Sequence, residues 1–98
     1  MSFEKAIEAS LAATLGDDHA LLTDLRSAFV DSARRHVEAL GEATSQDIWC
    51  DAALRLKGLA ASFGATKLMA CAGQAAKSQC GDRRILDTVE AELAAFDR

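Results

Sequence analysis

The sequence predicts an all-α chain: an antiparallel up-down four-helix bundle with an additional short N-terminal helix. Three observations lead there. Alanine is abundant and proline is absent, a composition that favours helix. Tyrosine is absent and β-branched residues are few, which disfavours strands. Apolar residues recur at intervals of three and four between short breaks, and short connections make amphipathic helices antiparallel neighbours.

Each element has its own signals. A first helix starts near Ser2 (FEKAIEASLAATL) and closes at Gly16. Asp17 or Asp18 can cap a second helix, because a carboxylate accepts the unpaired N–H groups of the first turn. That helix runs through HALLTDLRSAFVDSARRHVEAL, with Leu22, Leu25, Phe29, Ala33, Val37 and Leu40 on one face. Residues 41–45 form a break, in which Thr44 or Ser45 can cap a third helix and Asp47 suits its first turn. The third helix spans Gln46 to Phe63 and ends at Gly64, the residue type common just past a helix. A fourth, alanine-rich helix covers Thr66 to about Gln79, and Gly81 breaks it. Asp82 can cap a last helix that places Ile85, Leu86, Val89, Leu93 and Phe96 on one side.

The 98 residues make one domain, residues 1–98, large enough for a core without metals or disulfides. Net charge is −4 with both signs interspersed. No basic footprint for nucleic acid exists. No segment reads as a membrane span, and MSFEKAIEAS is no secretory signal, so the expected compartment is the cytoplasm. Cys50, Cys71 and Cys80 lack metal-ligand spacing and read as reduced packing residues. Asp17 and Asp18 read as helix-start charges rather than a metal site. No phosphate-cradling loop or nucleophile–base set is present, and neither a metal nor a cofactor is expected. A monomer is compatible with this reading.

The third helix holds the anomaly. With Leu54 at zero, Ile48, Trp49, Ala52, Leu56, Leu59, Ala60 and Phe63 fall between roughly 120° and 240°. Leu54 therefore points away from the core face, together with Cys50, Lys57, Gly58 and Ala61. Solvated faces normally carry long charged residues. Here small residues surround a leucine, with the cations Arg55, Lys57 and Lys67 nearby. Gly58 costs the helix about 1 kcal/mol relative to alanine, and close approach of another body is the usual reason for such a glycine. Single exposed leucines are also common and need no function.

The stretch LRLKGLAASFGA resembles the central motif of histidine-containing phosphotransfer (HPt) domains: a histidine, two residues, lysine–glycine, five residues, then glycine. Leu56, Lys57, Gly58 and Gly64 stand in the matching places, and Ser62, Phe63 and Ala65 are also typical. LGDDHALLTDLRSAFVDSA is similar to the family's preceding helix. The resemblance covers about Leu15 to Leu93. It implies a signalling module of two-component phosphorelays whose partner is a response-regulator receiver domain or a histidine kinase.

The family's phosphoryl-accepting histidine would occupy position 54, and this chain has Leu54. Leucine has no nucleophilic atom, so no catalytic residue is assigned. The resemblance then implies a docking face made of Cys50, Leu54, Arg55, Lys57, Gly58, Ala61 and Lys67, on a module that binds without accepting phosphate and acts as adaptor or inhibitor. The alternative is an authentic phosphotransferase with its acceptor position substituted. A third possibility is a structural protein that dimerises through the Leu54–Ala61 face. His36 reads as a partly buried packing residue and His19 as a solvated helix-start residue. Neither has the lysine–glycine companion.

Overall fold

The computed structural model describes residues 19–97. These form four helices, α1 (His19–Glu42), α2 (Gln46–Ser62), α3 (Thr66–Ala76) and α4 (Arg83–Asp97), and no strand occurs among the described residues. The chain is all-α, as expected. The helix expected before Gly16, its Asp17 or Asp18 successor cap and the side-chain environment of His19 lie outside the described residues.

The ends of the helices follow local chemistry. Ser45 is the cap of α2, and its hydroxyl accepts from the Ile48 N–H at 3.2 Å. At the other end Gly64 has φ +68°. Its N–H bonds to the Ala61 carbonyl at 3.2 Å, and the Ala65 N–H reaches back to the Ala60 carbonyl at 2.9 Å. This pair of bonds is the Schellman arrangement, which a left-handed glycine permits without Cβ strain. Asp82 Oδ1 accepts from the N–H groups of Arg84 and Ile85 at 3.1 and 3.4 Å, capping α4.

Two boundaries differ from the sequence reading. Helix α1 continues through Gly41 to Glu42. Gly41 faces α4 closely, since a Cβ there would stand 3.7 Å from Leu86 Cδ2. Helix α3 stops at Ala76, before Gln79. The Gln46 amide grips the chain beyond it: Nε2 donates to the Ser78 carbonyl and Oε1 accepts from the Cys80 N–H, both at 2.8 Å.

The main packing pairs are α1 with α2, α2 with α3, α3 with α4, and α4 with α1. One core results, with Phe29, Val30, Ala33, Val37 and Leu40 from α1, and Trp49, Ala52, Ala53, Leu56 and Ala60 from α2. From α3 come Leu68, Cys71, Ala72 and Ala75, and from α4 Leu86, Val89 and Leu93. No polar or charged residue is buried among the described residues. Fully buried alanines alternate with Trp49, Phe29 and Leu56, so large side chains fill the space that small ones leave. At one end, Phe29 stacks on Phe63 and meets Phe96 edge-on, with ring centroids 4.7 and 4.8 Å apart.

The core face of α2 is turned slightly from the expected one. Ile48 was expected inside and is 50% exposed, while Ala53 is fully buried. The reason is that α2 packs against α1 and α3 at once, and the small Ala53 lets a neighbouring helix approach where Ile48 would hold it off. Among the described residues, no helix is long and apolar enough to cross a membrane.

Candidate functional site

Helix α2 presents the candidate face because its other side is committed to the core. Leu56 is fully buried, and Leu54, two residues earlier, is 51% exposed. A helix turns about 100° per residue, so those two side chains diverge by about 200°. Cys50 and Ala61 are half-buried at the edges of the face, and Lys57 and Gly58 are exposed. The periodicity argument thus placed these residues correctly.

Gly58 is open. Among the described residues, a Cβ built on it would meet nothing within 4 Å outside its own helix backbone, and its φ is not in the left-handed region. Neither packing among the described residues nor backbone conformation requires a glycine there. Its carbonyl accepts from the Ser62 hydroxyl at 3.1 Å, a bond of the i−4 type that slightly loosens a helix.

The three cations separate. Arg55 Nε donates to Asp51 Oδ2 at 2.8 Å, with both side chains about two-thirds exposed. Such a surface pair contributes at most about 1 kcal/mol and engages one of the guanidinium's donors. Lys57 makes no ion pair among the described residues, and its stem runs over α3 at Gly73. Lys67, on α3, lines an open groove of about 290 Å³ with Arg26, Phe63, Leu68, Glu92 and Phe96, and none of the other six candidate residues lines that groove. The turn at 63–65 places Lys67 in the first turn of α3.

Leu54 offers apolar area, Lys57 a positive charge, and Gly58 a gap. The three cysteines are free thiols. Cys71 is on the core side of α3, where burial and then the Glu92 charge push its thiol up from 9.0 to about 11. His36 is half-buried on α1, without a lysine–glycine neighbour. No group of three or more His, Cys, Asp or Glu side chains among the described residues could hold a metal ion.

Two residues of this region escape a sequence reading. Gly73 lies beneath the Lys57 stem, and its only signal is a glycine inside a helical stretch. Gln46 holds the α3–α4 turn, and nothing in its local sequence marks it. Comparison with protein-family models, curated proteins and solved structures finds no match for this chain.

Proposed function

We propose that the chain is an HPt-like docking module of two-component phosphorelays, built as an antiparallel up-down four-helix bundle with an N-terminal helix. Its α2 outer face binds a receiver domain, or a histidine kinase, without accepting a phosphoryl group. It serves as adaptor or inhibitor by occupying the surface that true phosphotransfer proteins use.

The observation that carries this reading is the open Gly58 one turn after the exposed Leu54. The helix tolerates a glycine that nothing within the described residues needs. A body approaching from outside would need it. The lysine–glycine pair in the resembling motif supports the same reading, as does Lys57, which makes no ion pair among the described residues. Receiver domains carry an acidic pocket, and the Lys57 cation on the facing surface complements it, steering encounter and fixing register. Charge reversal tests this: Lys57→Glu should weaken receiver binding about tenfold or more, since like charges across an interface are strongly disfavoured. Equal affinity of Lys57→Glu and the parent chain would place docking elsewhere.

A second reading keeps the same face and treats the chain as a phosphotransferase substituted at position 54. The exposure of Leu54 favours it, because a histidine there would reach solvent without disturbing the core. Leu54→His should then take a phosphoryl group from a receiver aspartyl phosphate onto the imidazole. A folded Leu54→His chain that takes no label removes this reading.

A further inference from the structure

A second feature of the face is the close approach of Lys57 to Gly73. Lys57 does not simply extend from α2 into solvent. A Cβ built on Gly73 would stand 3.7 Å from Lys57 Cδ, 3.7 Å from Cε and 3.9 Å from Nζ. The lysine stem therefore crosses the α2–α3 groove and lies directly over the α3 backbone. Gly73 sits inside α3, is half-buried, and has no left-handed φ. Its backbone conformation suits any residue, and glycine weakens a helix interior. Lys57 lies just beyond the place of a Cβ, in the space that any side chain longer than alanine would enter.

We propose that Gly73 is a positioning residue of the docking face, seating Lys57 so that its ammonium is presented from the α2–α3 groove to an acidic partner surface. This rests on the docking reading above. A lysine swinging freely from one helix loses rotamer freedom when it engages a partner. A lysine already laid along a second helix has lost part of that freedom beforehand, and preorganisation of this kind strengthens binding. The neighbouring Arg55 is held by Asp51, whereas Lys57 has no ion-pair partner among the described residues. Lys57 thus offers an acidic partner a cation with no ion pair to break among the described residues. Alanine at position 73 fits, because its methyl would rest in ordinary contact with the stem. A longer side chain competes for the same space.

The contact is read first in the free chain by NMR. Nuclear Overhauser effects between the Lys57 δ and ε protons and the Gly73 α protons are expected. They should pass to the methyl group in Gly73→Ala and vanish in Gly73→Leu. Calorimetry against receiver domains from the same organism then reads the function. Gly73→Leu should weaken binding about tenfold when Lys57 is present and less than about twofold in a Lys57→Ala background, as expected of coupled neighbours. Gly73→Ala should stay within about twofold of the parent. Equal losses in both backgrounds, or no Lys57–Gly73 effect in a parent chain that binds, overturn the seat alone. The effect in the parent needs no variant to fold. A parent chain that binds no receiver domain overturns the docking reading and with it the role of the seat.

Discussion

The Trp49 indole Nε1 donates to the Ala75 carbonyl at 2.7 Å in the buried interior. Ala75 is in the last turn of α3, where carbonyls have no helical partner. The same oxygen also accepts from the Ser78 N–H at 3.0 Å. The bond ties α2 to the end of α3 from inside, and the Gln46 amide ties them from outside. Helix α2, which carries the candidate face, is thereby fixed against α3.

Trp49→Phe keeps an aromatic ring and deletes the donor. The Ala75 carbonyl retains Ser78, so the lost hydrogen bond and the vacated volume together should cost about 2 kcal/mol. Urea unfolding followed by circular dichroism measures it. A variant as stable as the parent would show that the indole bond contributes nothing.

Leu54 and Leu56 give opposite expectations. Leu56→Ala empties a fully buried site and should destabilise by about 2–5 kcal/mol. Leu54→Ala removes a half-exposed side chain and should stay within about 0.5 kcal/mol of the parent. Denaturant midpoints of the two variants check the orientation of α2 directly. Similar losses in both would mean that α2 is rotated.

Gly58→Ala separates folding from binding. The methyl enters open space, so the helix should gain about 0.5–1 kcal/mol. Receiver affinity should fall at the same time, because the gap is filled. A stability gain with unchanged affinity would assign Gly58 no role in docking.

Cys71 makes stability depend on pH. Burial, reinforced by Glu92, raises its thiol from 9.0 to about 11. Between those values the folded chain keeps the proton that the unfolded chain gives up. The contribution is therefore complete below 9.0 and is lost as pH rises towards about 11. Under reducing conditions Cys71→Ala should flatten the fall in urea midpoint across that window. An unchanged slope would mean that other groups produce it.

Much of the fold was legible because its signals are local. Ser45, Gly64 and Asp82 mark helix ends through bonds to residues within five positions, and the period of α2 separates Leu54 from Leu56. The remainder depends on contacts between helices. Ile48 turns outward and Ala53 inward because two neighbours compete for α2. The Gln46 grip on Ser78 and Cys80 spans more than thirty positions. Lys67 enters a different groove because the Gly64 turn redirects the chain. The seat of Lys57 on Gly73 needs α2 and α3 already packed. Period and motif point to the α2 residues and to Lys67, whereas the place of Gly73 beneath Lys57 depends on how α2 and α3 pack.

The most direct measurement is an NMR titration of the unmodified, isotope-labelled chain with receiver domains from the same organism, in both phosphorylation states. Docking on α2 predicts amide shifts clustered on Cys50, Leu54, Lys57, Gly58 and Ala61, with Gly73 among them. Shifts confined to other surfaces, or none with any receiver domain in either state, would contradict the receiver-docking account.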